Sequence, residues 1–317
     1  MMVIGVGMFA APRIGLSQAA PPVMRRIGIL TPLGPDSYRQ LVGALRDIGY
    51  EDGKNVRLLL RSAESDYKRL PALARELVEA KADVIVAINT PGARAAIDAT
   101  RTIPIIMTHV GDPIGSGFVT SLARPGGNVT GVSNLMGELG SKRLAVLHEL
   151  LPGAKRIAVL YNPVDPVTEP QIRDVKAAAP KLGVELRFYP VKTPAGLPET
   201  FNTLLAWRAQ GAIWLNGQHQ SYQTGTIALA AKHKLPVMAG QAQDVDQGGL
   251  LGFSADLAEM YKRTASHVDK ILKGAKPGDL PVEQPTQFEL AVNLKTAKAL
   301  GIKVPQSILI QATKVIE

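Results

Sequence analysis

Four short apolar runs, each followed by a turn-rich break and a helix-like stretch, constrain this chain most. They are "RRIGIL" (25–30), "NVRLLLRSA" (55–63), "DVIVAIN" (83–89) and "IPIIMTH" (103–109). Rich in Ile, Leu and Val without polar alternation, they read as strands of a parallel sheet buried on both faces. Between them, "YRQLVGALRDIGY" puts Leu41, Leu45 and Ile48 on one helical face. "YKRLPALARELVEAKA", with Pro71 inside it, and "TPGARAAIDAT" also read as helices. Strand alternating with helix predicts an α/β unit whose parallel sheet is covered on both sides.

The plan then recurs. "RIAVL" at 156–160 echoes "RIGIL", "GAIWLN" echoes "DVIVAIN", and "LPVMAG" echoes "IPIIMT", each of the last pair carrying a Pro at the strand start. Arg26 to Arg156 and Pro104 to Pro236 are both separated by about 130 residues. Two similar α/β units in series is the simplest account. After them, "SADLAEMYKRTASHVDKILKGAKPGDL" predicts a long amphipathic helix. Its apolar face is Leu257, Tyr261, Ala265, Val268 and Leu272, its N-cap Ser254 and its stop Gly274. "PVEQPTQFELAVN" reads as a strand, "LKTAKALG" as a short helix ending at Gly301, and "SILIQATKVI" as a last apolar element. Lying outside the repeat, these segments are expected to bind the two units together.

A length of 317 residues suits two domains, and 46% apolar with 20% charged residues suits a soluble chain with a real core. The net charge of +9 is spread along the chain and aromatics are few, so a basic surface is expected rather than a nucleic-acid site. The absence of Cys removes disulfides, thiolate nucleophiles and Cys-ligated metals, and argues against a lipoprotein anchor. "MMVIGVGMFAAPRIGLSQAA" looks like a secretory signal: a short apolar stretch, then small residues around Ser17 to Ala20. It is too short to span a bilayer. Gly5 to Ala10 spell a dinucleotide fingerprint with no strand before them, a chance match.

Ligands of open parallel sheets bind beyond the carboxyl ends of the strands. Those ends supply the candidate ligand-binding residues: Thr31, Asp36 and Tyr38; Asn89 and Thr90; Val110, Gly111 and Asp112; Asn162; Asn216 and Gln218; Gln241; and Asp256. Glycine lets backbone approach a ligand, and a helix start at Thr90 offers free N–H groups to a carboxylate. Each has a plainer reading: Asn89 and Thr90 as helix caps, Asp112-Pro113 as a turn, His109 as a packed loop residue. Tyr38, Tyr161, Trp214, Tyr222 and Phe253 are candidate cleft aromatics, Trp214 reading better as core. The five histidines lie far apart, with no H-E-x-x-H, G-x-S-x-G or G-x-x-x-x-G-K-[ST] pattern. No catalytic residue, metal or cofactor is expected. The alternative is a two-lobed Rossmann-like enzyme, with the His109 and Asp112 loop as its one acid–base candidate. A cytosolic sensor of a transcription regulator would need a DNA-binding segment that the N-terminus does not provide.

"VGDPIGSGFVTSLARPGGNVTGVS" (110–133), "RIAVLYNP" (156–163) and the closing "VDKILKGAKPGDLPVEQPTQFELAVNLKTAKALGIKVPQSILIQATKVIE" carry a resemblance. They resemble the extracytoplasmic solute-binding proteins of ABC transporters with a type I periplasmic-binding fold, in the group with tryptophan/tyrosine-type binders. The likeness covers residue 25 to the end. It implies two Rossmann-like lobes with parallel sheets and a three-segment hinge. The N-terminal lobe is residues 25–138 plus about 255–283, the C-terminal lobe 139–254 plus about 284–317, and 1–24 a signal-like segment. It further implies a periplasmic monomer that closes on a small molecule (an amino acid, an amide or a small aromatic carboxylate) and passes it to a membrane permease. One departure stands out. Many amino-acid binders of this fold carry an acid near the Gln241 loop, which here reads Ala239-Gly240-Gln241-Ala242-Gln243. Either Asp112, Asp244 or Asp256 then faces the ligand ammonium, or the ligand has none, because an unpaired desolvated ammonium is costly.

Overall fold

The first apolar run is paired on both sides. β1 (Arg25–Thr31) lies parallel between β2 (Val56–Ser62) and β3 (Val84–Ile88), with Ile27 opposite Leu58 and Val84. β4 (Ile105–Val110) and β5 (Val129–Ser133) complete a five-stranded sheet ordered β2-β1-β3-β4-β5. Helices α1 (Arg39–Asp47), α2 (Leu70–Glu79) and α3 (Asn89–Ala99) join successive strands. The computed structural model describes residues 24–134, 139–163, 168–215 and 220–317.

The second unit follows α4 (Gly140–Leu150). Its strands are β6 (Arg156–Tyr161), β7 (Glu185–Pro190), β8 (Gly211–Trp214), β9 (Val237–Ala239) and β10 (Leu251–Ala255). They are joined by α5 (Thr168–Leu182), α6 (Leu197–Ala206) and α7 (Gln220–His233). The order β7-β6-β8-β9-β10 reproduces the first sheet strand for strand. After α8 (Leu257–Leu272), β11 (Phe288–Asn293) adds antiparallel to β10. α9 (Leu294–Ala299), α10 (Gln306–Gln311) and the parallel edge strand β12 (Lys314–Ile316) finish a seven-stranded sheet.

The apolar runs need both faces covered, and both are. Leu30, Ile85, Ile105 and Met107 point to α2 and α3; Ile27, Ile29, Val84 and Ile106 point to α1 and α8. In the second sheet Ile157, Val159 and Ile213 meet α4 and α5, while Ala158, Leu160 and Trp214 meet α6 and α7. Each fully buried Ile, Leu or Val contributes about 1.5–3 kcal/mol, which makes these sandwiches the main source of stability.

Two helices are exchanged between the lobes. α4 follows the first sheet but packs on α5, with Leu144 and Leu147 in the second lobe's core. α8 follows the second sheet but packs on α1, with Tyr261, Ala265 and Val268 against Ile27, Val84 and Ile106. The chain therefore crosses three times: after Ser133, after Ala255, and before Phe288. β5 and β10 leave their sheets at the carboxyl edge, and antiparallel β11 enters at the edge where β10 ends. All three crossings thus join carboxyl edge to carboxyl edge, so the two edges face each other. The third crossing is tied to the first, with Glu283 N–H donating to Gly131 O and Ser133 N–H to Glu283 O, both at 2.9 Å. From α8, Arg263 clamps it by donating to Glu283 (2.8 Å), Thr286 (2.9 Å) and Glu259 (2.7 Å).

Several local expectations are corrected. The N-cap of α8 is Asp256, whose carboxylate accepts from Ala258 N–H (2.8 Å) and Glu259 N–H (3.1 Å); Ser254 lies inside β10. Ile48 is 45% exposed because α1 ends one residue earlier. Residues 282–287 are the crossing, so the strand read from Pro281 onward begins at Phe288. The closing apolar element is a helix followed by a strand.

Gly131 sits in β5 at φ +142°, and an added Cβ would overlap the Met107 carbonyl of the neighbouring strand. Gly131→Ala is expected to lower stability by roughly 2–4 kcal/mol in urea denaturation, through strain and overpacking together. A loss under 1 kcal/mol would mean that β4 and β5 pair more loosely than described.

Candidate ligand-binding site between the lobes

The rim of the first sheet is built at three strand ends. β3 runs into α3 without a side-chain cap: the N-cap is Ile88, and the first turn holds no acidic residue. The free N–H groups of that turn form an anion-attracting end. Asn89 is buried with φ +64°, and Thr90 is buried with an Oγ1 that has no hydrogen-bond partner among the described residues. The plain capping reading of this pair is therefore not what the geometry contains. At the end of β4 the pairing with β5 is irregular between Thr108 and Val110, and His109, at the irregularity, has φ +59°. Its ring lies 4.7 Å from that of Tyr261, and its Nε2 is likewise buried and unpartnered. Burial pushes the imidazole down to about 4, so it is neutral at pH 7. Of the seven left-handed non-glycine residues among the described residues, these two are the ones at adjacent strand ends of this rim.

The remaining candidates on this side are more engaged. Thr31, at the end of β1, shares a 2.8 Å hydrogen bond with Ser37 and accepts from Leu33 N–H. Asp36 and Tyr38 lie in the short 3-10 turn Pro35–Tyr38, with the Tyr38 ring against the α1–α8 core. Val110 is buried, and Gly111 follows the strand. Asp112 accepts from Gly115 N–H at 2.7 Å, the turn that the sequence allowed. Arg94 stacks over Phe118 and donates to the Ser116 carbonyl, which anchors this loop to α3.

On the facing rim, Asn162 is buried after β6, and its carbonyl accepts from Thr168 at 2.8 Å. Asn216 and Gln218 lie outside the described residues. Gln241 opens a short 3-10 turn after β9, and its N–H donates to Asp244 at 3.2 Å. Asp256, the cap of α8, lines an interlobe crevice with Gln40 of the first lobe and Ala242 and Gln243 of the second. Of the aromatics, Trp214 and Tyr222 stack at 5.8 Å inside the second core, and Phe253 stacks on Phe288 at 5.8 Å. Tyr161 is half-buried at the end of β6.

Sequence reading missed Arg143. This guanidinium, fully buried in α4, donates to Gly240 O (2.7 Å), Phe253 O (2.9 Å) and Gln171 Oε1 (3.1 Å). It fixes the ends of β9 and β10 and so positions the Gln241 turn. Burial pushes its pKa down to about 10, opposed by Asp244 and Asp174, so it remains charged. A signal was present: Arg143 occupies the apolar stripe of α4 beside Val146, Leu147 and Leu150. Burial pushes Asp244 up to about 7, against the Gln241 N–H and the Arg143 charge.

Two sheets with facing carboxyl edges and three crossings define the two-lobed type I periplasmic-binding fold. Residues 27–316 match the ABC transporter substrate binding protein family, and the chain belongs to it. It is 31% identical over 262 residues to a tyrosine-binding protein of Clostridioides difficile, covering 83% of this chain and 75% of the relative. A Streptococcus pneumoniae ABC domain solved with L-Trp superposes with TM-score 0.84 at 28% identity, covering 92% of this chain and all of the other. A ligand-free, open substrate-binding protein from Clostridium difficile, also 28% identical, superposes with TM-score 0.70, covering 92% and 99%. Among the described residues no helix is long and apolar enough to cross a membrane.

His109 and Asp244 oppose each other as pH changes. A histidine held near 4 in the fold but at 6.5 when unfolded adds stability above about 6.5, which is lost as pH falls toward 4. A carboxyl raised from 3.8 to about 7 adds stability below about 3.8, which is lost as pH rises toward 7. Urea denaturation from pH 4 to 7 should therefore show falling stability in His109→Gln and rising stability in Asp244→Asn, by roughly 1–3 kcal/mol each. Parallel pH profiles for the two variants would contradict both assignments.

Proposed function

We propose that this protein is the extracytoplasmic receptor of an ABC importer. Its lobes, 25–138 with about 255–283 and 139–254 with about 284–317, close as a monomer on one small molecule and hand it to a membrane permease. The observation that carries the reading is the pair of buried, unpartnered polar atoms on one rim, Thr90 Oγ1 and His109 Nε2, beside an uncapped helix start. Buried polar groups are nearly always paired, so these two call for a partner supplied from the cleft. Closing is supported by the better superposition on the L-Trp complex than on the open relative at equal identity.

The ligand class follows from the tyrosine- and tryptophan-binding relatives and from the charges. A carboxylate sits at the start of α3, with Asn89 and Thr90 beside it. Thr31, Tyr38, Val110, Gly111 and Asp112 frame one side and Asn162, Gln241 and Asp256 the other; Asp36, Asn216 and Gln218 stay candidates from the sequence. The three carboxylates considered for an ammonium each have one oxygen engaged by backbone: Asp112 in its turn, Asp244 at Gln241, Asp256 as a cap. This favours a small aromatic carboxylate, which brings no ammonium, over a free amino acid or its amide.

A thermal-shift series on refolded protein tests the reading, with tyrosine, tryptophan, their amides and their desamino acids. A ligand at a hundred times its Kd is expected to add about 2.7 kcal/mol of stability. Thr90→Val should weaken it about tenfold, the loss of one charge-assisted hydrogen bond, with the unliganded melting temperature kept. No stabilisation across the series would overturn the ligand class. Binding unchanged in Thr90→Val would overturn the placement of the carboxylate.

A further inference from the structure

The lobes differ in charge at the ends that point away from the cleft. The cleft lies at the carboxyl edges of the sheets, so the amino edges, where the parallel strands start, form the two far ends. Matching stretches lead into β1–β4 and into their counterparts β6–β9, each running from the last turn of the preceding described helix to the first residue of the strand. In the first lobe these stretches hold five Lys or Arg and seven Asp or Glu; in the second they hold six and two.

The six are Lys155, Arg156, Lys181, Arg208, Lys232 and Lys234, and all but Arg156 are exposed; the two acids are Glu149 and Glu185. Backbone hydrogen bonds set the stretches side by side. Glu185 N–H donates to Lys155 O at 2.7 Å, Gln210 N–H to Arg156 O at 2.9 Å, and Ala212 N–H to Pro236 O at 2.9 Å. With neighbouring strands about 4.8 Å apart, the row crosses roughly 15 Å. Among the described residues none of the six pairs with a carboxylate, and the second lobe's one ion pair is Lys314 with Asp246. At the first lobe's far end Arg25 pairs with Asp83 at 3.1 Å and Lys54 with Glu51 at 2.6 Å. Helix dipoles favour cations at helix C-termini, but they act in both lobes, and the first does not follow them. The unneutralised row is therefore particular to the second lobe.

Trp207, the C-cap of α6, stands half-buried in the same row. An amphipathic indole among Lys and Arg suits the interface of a bilayer with anionic headgroups. A nucleic-acid strand would need open aromatic faces for its bases, whereas the Trp207 ring carries the Arg187 guanidinium at 4.7 Å and turns toward Tyr189. We propose that the amino edge of the second lobe docks on an anionic phospholipid bilayer and leaves the cleft free. The proposal does not rest on the ligand assigned to the cleft.

The test is co-sedimentation of the full chain with vesicles of phosphatidylcholine alone and of phosphatidylcholine with phosphatidylglycerol. Binding to the second and not to the first is expected. It should be lost at about 1 M salt, where the screening length is about 3 Å. A cation near such a surface is worth about fivefold in partition, so Lys232→Gln with Lys234→Gln should weaken binding roughly twentyfold. Lys81→Gln with Arg101→Gln, the same change of charge at the first lobe's far end, should leave it unchanged. Trp207 emission should move to the blue on binding while Trp214, 2% exposed, stays silent, and Trp207→Phe should remove the change. The proposal fails if the two kinds of vesicle bind alike, or if the Lys232 and Lys234 variant binds as well as the parent chain. Equal losses in the two double variants would make net charge alone responsible and overturn it. Tighter capture by duplex DNA than by vesicles at equal phosphate would point to nucleic acid and overturn it too.

Discussion

Parallel pairing is the constraint on which the rest depends. A parallel strand can be rejoined only by a connection that crosses the face of the sheet, so every strand-to-helix turn falls at the same edge. In this chain the rule operates twice, and the crossings after Ser133 and Ala255 leave from that edge in each lobe. The turns carrying Thr31, Asn89 and Asp112 therefore have no choice but to face those carrying Asn162 and Gln241. The cleft is a consequence of topology before any side chain is chosen.

The two rims solve the problem of buried polarity differently. On the first, beside left-handed backbone at Asn89 and His109, Thr90 Oγ1 and His109 Nε2 have no partner among the described residues, and the imidazole is kept neutral by burial. On the second, a buried guanidinium holds the carbonyls of Gly240 and Phe253, with Asp244 close enough to offset its charge. The second rim also keeps Gln243 Oε1 buried without a partner among the described residues, so each rim holds a polar atom poised for contact on a locked frame, which suits a shape that moves as rigid halves about the crossings.

Much of this was legible in the sequence because it rests on short-range pattern. The unbroken Ile and Val of "DVIVAIN" specify a strand buried on both faces, and its echo in "GAIWLN" specifies the second unit. The glycine stops at Gly274 and Gly301, both with positive φ, were readable for the same reason. What escaped depends on distance in space. Nothing local says that the Ser254 position stays in its strand and leaves the cap to Asp256. Nor does anything local say that Arg143, in a stripe of leucines, meets carbonyls about 100 residues away. The engagement of Asp112 by Gly115 lay within reach, since Asp before Pro and Gly is a turn signal.

The exchange of α4 and α8 has a consequence for biosynthesis. The first sheet's outer face, with Ile27, Val84 and Ile106, is covered only in part, by α1, until α8 has been made, and α8 ends at Leu272. Until about six-sevenths of the chain has emerged, the amino-terminal half holds an open apolar surface and cannot settle. Such a polypeptide stays loosely folded late into synthesis, and a fragment cut anywhere before α8 is a target for chaperones or proteases rather than a folded lobe.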